Sequence, residues 1–211
     1  MNTHPKSLII LACVSSMAFV NLAQADFINR GGGMIYDDVL DITWLQDANY
    51  AMTSGSDTDG LMTWDAASTW ANALTVGGFE DWQLPTFDPF DARPSGPTLA
   101  NEIGSLWIQL NGGASIGTDT DISPFINLPL QSELSEWYWT GLEGSYDDLF
   151  DTAVAWRFSM NCGCWDSQAK DIEFYAWAVR SGDVAVPEPG TFALLGIGLA
   201  GMGLARRRKK I

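Results

Sequence analysis

Histidine is almost absent from this chain of 211 residues, since His4 is the only one. It precedes an apolar run from Leu8 to Val20 and the triplet Ala23-Gln24-Ala25, a pattern that predicts a secretory signal peptide cleaved after Ala25. The exported protein, which we expect to begin at Asp26, then contains no histidine. This absence excludes a Ser-His-Asp triad, an imidazole general base and a zinc site with histidine ligands.

Cysteine is also scarce, with three residues in the whole chain. Cys13 lies in the predicted signal peptide, so Cys162 and Cys164, in the stretch NCGCWD, are the two that remain after export. Two thiols without further soft ligands do not make a structural zinc site. In an oxidising compartment we expect a Cys162–Cys164 disulfide, and two free thiols in a loop are the alternative.

Basic residues are few between Asp26 and Val186, where 25 acidic residues stand against five basic ones and give a net charge of −20. Such a domain should repel nucleic acid, sulfated chains and anionic lipid surfaces. All ten tryptophans of the chain lie in the same segment, and its length suits one globular domain with a substantial core. We therefore expect a single domain over residues 26–185 that binds no nucleic acid.

The C-terminal segment, residues 186–211, differs from this domain in composition. It begins Val186-Pro187-Glu188-Pro189, continues with sixteen uncharged residues from Gly190 to Ala205, and ends in a basic cluster, Arg206 to Lys210. As a helix the uncharged run would be ~24 Å long, which is marginal against a hydrocarbon core of roughly 30 Å. The basic cluster predicts a single transmembrane helix with its C-terminal end in the cytoplasm and the domain outside.

The triplet Pro187-Glu188-Pro189, the glycine-rich apolar run and the basic cluster together resemble the PEP-CTERM sorting signal. The resemblance implies that an exosortase, a membrane-bound transpeptidase-like enzyme, cuts at or near Pro187 to Pro189. It also implies a transient anchor in the inner membrane of a Gram-negative bacterium. The domain is then transferred to the cell surface or to a matrix of extracellular polysaccharide.

Hydrophobic periodicity within the domain predicts helices first and strands later. Apolar residues at even spacing from Met34 to Trp44 indicate a hairpin that turns near Asp37-Asp38. Thr63 is expected to cap a first helix that stops at Gly77-Gly78, and a second helix spans about Thr98 to Leu110. Strands follow in EWYWTG, TAVAWRFSM and IEFYAWAVRSG. The last is apolar on both faces and should be central in its sheet, so the order of elements predicts an α+β fold.

The stretches DITWLQDA, TWDAASTWANAL, FEDWQLPT, NEIGSLW, YWTG and YAWAVRSGDV occur in an order similar to that of the Lcl C-terminal domain family, a relative of C-type lectins. The resemblance spans roughly Gly33 to Val184. It implies a C-type-lectin-like fold with two helices and a twisted antiparallel sheet, and a role in glycan binding or adhesion. The Trp-Asn-Asp triplet of calcium-dependent C-type lectins is missing, because Trp165-Asp166 lacks the middle asparagine.

Calcium is the metal that the acidic loops could bind, and no other cofactor is expected. The stretch SGSDTDG fails as an EF-hand, because Gly55 replaces the first aspartate and Ala66 replaces the bidentate glutamate. Solvated loop carboxylates are the alternative to a site built from several loops. The candidate ligands for such a site are Asp119, Asp121, Asp147, Asp148 and Asp151.

Tryptophan rings can stack on sugars while neighbouring polar side chains bond the sugar hydroxyls. We expect Trp137, Trp139 and Trp156 to pack in the core. Trp165 is predicted to lie in a polar loop between strands, where core packing and ligand binding are equally good interpretations. The expected glycan site consists of Trp165, Asn161, Asp166 and Gln168.

Catalysis is not expected from this sequence. A polysaccharide hydrolase needs two acids that face the substrate, and its candidates would be Glu133, Glu136 and Glu143, which solvation explains equally well. The sequence thus predicts a secreted, exosortase-sorted matrix or surface protein that binds glycans without catalysis. A structural surface protein without a specific sugar ligand is the alternative.

Overall fold

The computed structural model of the chain describes residues 27–89, 101–129, 137–144 and 153–184. These residues form an α+β fold in which sheets predominate. The strands are β1 (Phe27–Gly31), β2 (Met34–Asp37), β3 (Ile42–Leu45), β4 (Leu61–Met62), β5 (Trp137–Glu143), β6 (Val154–Ser159), β7 (Trp165–Ala169), β8 (Phe174–Tyr175) and β9 (Val179–Ser181). The helices are α1 (Tyr50–Thr53), α2 (Trp64–Asn72) and α3 (Glu102–Asn111).

Both ends of the chain lie outside the described residues. The expected signal peptide, with its cleavage site at Ala25, precedes them, and the expected sorting signal with Pro187, Glu188 and Pro189 follows them. Within the described ranges, no helix combines the length and the apolar character needed to cross a membrane. The predicted transmembrane run from Gly190 to Ala205 lies beyond those ranges.

One sheet has the strand order β1-β2-β3-β9 and is antiparallel throughout. β2 and β3 form the predicted hairpin, with Asp37 opposite Ile42. The turn forms because the Asp37 carboxylate accepts hydrogen bonds from the backbone N–H groups of Val39 and Leu40, a role for which aspartate is favoured in turns. The hairpin predicted near this residue is therefore confirmed.

The other sheet has the strand order β4-β8-β5-β6-β7. β5 and β8 are parallel, whereas the other neighbouring pairs are antiparallel. The expectation of a single antiparallel sheet is therefore wrong, because the described strands form two sheets and one of them is mixed. Periodicity reports which faces of a strand are buried, and it carries no information about which strands lie beside it.

The segment 172–182, expected to be one central strand, is divided between the two sheets. β8 lies inside the mixed sheet, and β9 lies at the end of the antiparallel one. Between them, residues Ala176 to Ala178 are buried, and the backbone carbonyl of Ala178 accepts a hydrogen bond from Leu45. The segment is apolar on both faces because it crosses the core from one sheet to the other.

The first predicted helix is α2, and its start is confirmed. The Thr63 hydroxyl accepts a hydrogen bond from the backbone N–H of Ala66 at 3.4 Å, as expected for an N-cap residue. The helix ends at Asn72, before the predicted stop at Gly77-Gly78. Those glycines belong instead to a separate tight turn, which is closed by two backbone hydrogen bonds between residues 76 and 79.

The second predicted helix is α3, which ends at Asn111 as the sequence indicates. Gly112 follows in the left-handed conformation, with φ of 60°, and such a residue commonly ends a helix. The helix begins at Glu102, after the extended N-cap residue Asn101, so the expected start near Thr98 is wrong. α1 is a single turn that the sequence did not predict, because four residues are too few to show a helical period.

One hydrophobic core contains side chains from both sheets and from the helices. Trp44 and Trp177 meet edge to face, with ring centroids 5.5 Å apart, so the core is built on aromatic contacts as well as on burial. The expected burial of Trp139 is confirmed. The half-buried tryptophans are Trp70, Trp137, Trp156 and Trp165.

Candidate functional site

Trp165 is the first residue of β7, and its expected position in a loop is wrong. Its ring is half-buried and packs on Phe87, with ring centroids 5.9 Å apart. The polar residues that follow it predict a loop, but they belong to the strand. β7 is an edge strand of its sheet, and polar side chains in such a strand occupy the positions that face solvent.

The four residues of the expected glycan site do not share one surface. Successive side chains of a strand point to opposite faces of the sheet. Trp165 and Ser167 therefore lie on one face of β7, while Asp166 and Gln168 lie on the other. The structure therefore does not bring Trp165 together with Asp166 and Gln168 on one face of the sheet.

Two polar side chains of that expected site, those of Asp166 and Asn161, already have partners within the protein. Asp166 forms a two-pronged ion pair with Arg157, with N–O distances of 2.6 and 3.1 Å. Asn161 donates its side-chain amide to the backbone carbonyl of Ile116 at 3.1 Å. These contacts serve the packing of the hairpin, and they reduce what either group can offer to a ligand.

Two of the five expected calcium ligands are described. Asp121 accepts a hydrogen bond from the backbone N–H of Ser123 at 2.9 Å, and the bonds from Ser123 hold the pKa of that carboxyl below its ordinary value. In the part of the chain that the structure describes, no three His, Cys, Asp or Glu side chains are grouped closely enough to hold a metal ion. Asp147, Asp148 and Asp151 lie outside that part, so a calcium site that includes them stays a prediction.

A concave surface lies where the segment 83–89 crosses the mixed sheet, and we call it the Phe87 groove. Its smaller half, of about 280 Å³, has a lining of neutral polar side chains. Its larger half, of about 530 Å³, is lined by two aromatic residues and two carboxylates. Phe87 and Leu142 line both halves, so the two adjoin. The polar lining consists of Ser68, Asn72, Gln83 and Thr86 in the smaller half, and Asp88, Glu143 and Ser167 in the larger half.

The segment 83–89 is held in place by hydrogen bonds at both of its ends. At one end, Gln83 and Val179 exchange two backbone hydrogen bonds of 2.8 and 2.9 Å. At the other end, the buried side chain of Asn101 accepts from the backbone N–H of Asp88 and donates to its carbonyl. The floor of the Phe87 groove is therefore a rigid part of the fold.

Strand β5 approaches this segment closely at Gly141. The Gly141 N–H donates to the carbonyl of Pro85 at 2.9 Å, and a Cβ atom at this position would lie 3.2 Å from the carbonyl oxygen of Leu84. A side chain at this position would force the Leu84 carbonyl to move by a few tenths of an ångström, so the close contact between the two backbones favours glycine. This contact places the next residues, Leu142 and Glu143, at the wall of the groove.

Trp156 supplies the exposed aromatic surface of the larger half. Its ring is half-buried, and its centroid lies 6.3 Å from that of Phe87. Ser167 is its cross-strand partner and is exposed on the same face of the sheet. Glu143, one of the three expected carboxylates of a hydrolase, also lines this half and forms an ion pair of 2.9 Å with Lys170. Glu133 and Glu136 lie outside the described residues.

Every lysine and arginine that is described has both an acidic partner and an aromatic ring beneath it. The pairs are Arg30 with Asp183 over Tyr36, Arg157 with Asp166 over Trp137 and Phe174, Lys170 with Glu143 over Trp64, and Arg180 with Asp81 over Phe79. Among the described residues, no lysine or arginine lines the Phe87 groove. The described surface therefore offers an anionic ligand no uncommitted cation.

Sequence reasoning missed Phe87, Asp88 and Leu142 as groove residues. The groove begins within the stretch FEDWQLPT, which contributes to the resemblance to a domain family. Which strands this segment crosses depends on contacts between residues far apart in the chain, such as Gln83 with Val179, and no local pattern reveals them.

A family model described as the PEP-CTERM protein-sorting motif matches residues 185–209. The chain is similar to that family over these residues, and the motif indicates an exported protein that an exosortase recognises and sorts to the cell surface. No curated protein and no solved structure matches the chain.

Proposed function

We propose that the domain is a non-catalytic glycan-binding or adhesion module with a C-type-lectin-like fold of the Lcl C-terminal type. It acts at the cell surface or in the extracellular polysaccharide matrix, where the sorting motif delivers it. The single observation that carries the binding proposal is Trp156, a half-exposed ring in a groove of about 530 Å³ beside Ser167. The aromatic face can stack on a sugar ring, and the neighbouring hydroxyl and carboxylate oxygens can bond the sugar hydroxyls.

Neutral glycans are the proposed ligand class. The domain carries a net charge of −20 between Asp26 and Val186, and its described cations are all paired with carboxylates. Uronate-rich or sulfated chains would place like charges against each other, which costs several kcal/mol across an interface. Neutral sugars avoid this cost and gain from stacking on Trp156.

The proposal predicts that Trp156→Ala reduces the affinity for a neutral glycan at least tenfold, which corresponds to about 1.4 kcal/mol. The secreted protein would first be screened against an array of neutral and acidic bacterial polysaccharides, with and without calcium. Calorimetric titration would then compare the wild type with the variant on the glycan that binds best. Thermal melting checks that Trp156→Ala remains folded.

Trp165→Ala is the matched control, because Trp165 shares the same face of the sheet and packs behind Phe87 without lining the groove. Its affinity should change less than that of Trp156→Ala. If Trp165→Ala loses binding while Trp156→Ala retains it, the site lies at the end of β7, as the sequence predicted. If no glycan binds, the protein is a structural surface protein.

A hydrolase is the second candidate, since Asp88 and Glu143 place two carboxylates in the same groove and glycosidases require such a pair. Release of reducing ends from the bound polysaccharide would support this alternative. Loss of that release in both Asp88→Asn and Glu143→Gln would then assign the activity to the groove. Binding without release supports the non-catalytic proposal.

A further inference from the structure

The hairpin between β6 and β7 ends in a disulfide. Stabilisation of the fold does not explain why this disulfide is there. Cys162 and Cys164 are bonded to each other with one residue between them, and both are exposed. A disulfide stabilises a fold mainly by closing a long loop of the unfolded chain. The loop closed here contains only Gly163 between the two cysteines, so its contribution to stability is small.

The hairpin is already closed without the disulfide. β6 and β7 pair continuously from Val154 opposite Ala169 to Phe158 opposite Trp165. Beyond the last pair, the Ser159 N–H donates to the carbonyl of Cys164 at 2.8 Å, and the Gly163 N–H donates to the carbonyl of Ser159 at 2.9 Å. The turn therefore keeps its shape through backbone hydrogen bonds.

The tip is also anchored to α3 and to the loop that follows it. Gly163 is buried against the Trp107 indole, because a Cβ atom at this position would lie 2.8 Å from ring carbons of Trp107. Asn161 and Ile116 are joined by one hydrogen bond from each residue, of 3.1 and 3.0 Å. The backbone thus holds the two sulfurs side by side at the surface, and it would do so after the bond opens.

We propose that the Cys162–Cys164 pair is a thiol–disulfide exchange site for thiols outside the cell, and that it is not a structural crosslink. The thiolate of a protein or of a small thiol attacks one of the two sulfurs, and a new S–S bond forms while the Cys162–Cys164 bond breaks. The electron pair of the broken bond stays on the displaced cysteine, which becomes a thiolate and takes a proton from water. The exposed sulfurs give access, and access is a requirement of this exchange.

The neighbouring cysteine makes the exchange reversible. The displaced thiolate remains beside the mixed disulfide, because Gly163 and Asn161 hold the tip on Trp107 and Ile116. Its return attack restores the Cys162–Cys164 bond and releases the partner thiol, so two exchanges leave every sulfur in its original oxidation state. This inference is independent of glycan binding, since the Phe87 groove contains neither cysteine.

Glutathione serves as the probe thiol in the test. The folded wild-type protein is incubated with reduced glutathione without denaturant, quenched with acid and analysed by intact mass. We expect reduction of the disulfide, with the mixed disulfide as a minor species. The wild type is then reduced, freed of reductant and treated with oxidised glutathione, which Cys164→Ser receives directly. In Cys164→Ser, which lacks the returning thiol, the mixed disulfide should persist at a level at least tenfold above that of the wild type, whose second thiol displaces glutathione and restores the Cys162–Cys164 bond.

The Cys162→Ser, Cys164→Ser double variant separates the two roles. It should melt at the wild-type temperature if the pair is an exchange site, whereas a structural crosslink predicts a clear decrease. The proposal is also overturned if glutathione reduces the disulfide only after unfolding. Alkylation of both cysteines in protein recovered from outside the cell without reductant would overturn it as well, because the pair would then not be oxidised.

Discussion

Gly163 packs the tip of the β6–β7 hairpin against the core, on the ring of Trp107. Its φ of 65° lies in the left-handed region that residues with a Cβ atom seldom adopt. Its Cα faces the Trp107 ring so closely that a methyl group would lie 2.8–2.9 Å from three ring carbons. Two separate costs therefore act against any side chain at this position.

We predict that Gly163→Ala lowers the free energy of unfolding by about 2–4 kcal/mol, as expected for backbone strain combined with a steric clash in the core. Gly112→Ala measures the cost of backbone strain without the clash, since Gly112 has a φ of 60° and a Cβ atom there would have nothing within 4 Å. It should cost about 1 kcal/mol. Urea denaturation measures both values, and equal losses would show that Trp107 does not restrict position 163.

At the scale of elements, an ion pair connects β9 to the segment that precedes the Phe87 groove. Arg180 in β9 bonds both carboxylate oxygens of Asp81 at 2.8 and 3.1 Å, and its guanidinium lies over the ring of Phe79. The hydrogen bonds from Arg180 are the main cause that lowers the pKa of Asp81 below its ordinary value. The Asp81 carboxylate therefore binds a proton less readily in the folded protein than in the unfolded chain.

This shift sets the direction of a pH effect. A lowered pKa contributes stability that is present above the unfolded aspartate pKa and is lost as the pH falls through the folded pKa. Because the Asp81 side chain is 54% exposed, solvent screening limits the contribution to about 1 kcal/mol or less. We predict that Asp81→Asn is less stable than the wild type by this amount at pH 7, and that the difference disappears in acid.

Urea is the appropriate denaturant, since guanidinium salt would screen the pair. Asp65→Asn is the matched control, because the Asp65 side chain is 79% exposed and lies 3.9 Å from Lys170. It should show little difference from the wild type at any pH. A difference between Asp81→Asn and the wild type that persists unchanged below the folded pKa would assign the loss to packing of Arg180 and not to charge.

At the scale of the whole molecule, the domain and the C-terminal end of the chain carry charges of opposite sign. Residues 26–186 have a net charge of −20, whereas the last six residues include five basic ones. We expect the basic cluster to lie at the cytoplasmic face of a membrane, because basic residues that flank a membrane segment favour that side. The domain is then expected outside the cell. The match of residues 185–209 to the sorting motif indicates recognition by an exosortase, and we expect this enzyme to separate the domain from the basic cluster.

We predict that protein recovered from the cell surface has lost both ends. Its intact mass should correspond to a chain that begins at Asp26 and ends near Pro187 to Pro189, without Arg206 to Lys210. Replacing the Pro-Glu-Pro triplet with three alanines is the control, and this variant should keep its C-terminal segment and stay with the membrane. Surface protein that still carries the basic cluster would contradict sorting by this motif.

The sequence alone determined the features that depend on neighbouring residues or on sums over the chain. The hairpin at Asp37, the Thr63 cap and the helix end before Gly112 are confirmed because each is decided within a few residues. The net charge follows from composition. The sorting motif is likewise a linear signal, and the family match at residues 185–209 agrees with it.

Tertiary structure decided which distant residues meet. The segment 172–182 serves two sheets, Trp165 belongs to an edge strand, and Gln83 pairs with Val179 to form the floor of the Phe87 groove. A strand with apolar residues on both faces shows the same local pattern whether it lies within one sheet or crosses between two. Only the free energy of packing the whole chain distinguishes these arrangements, because burial depends on neighbours that the local sequence does not contain.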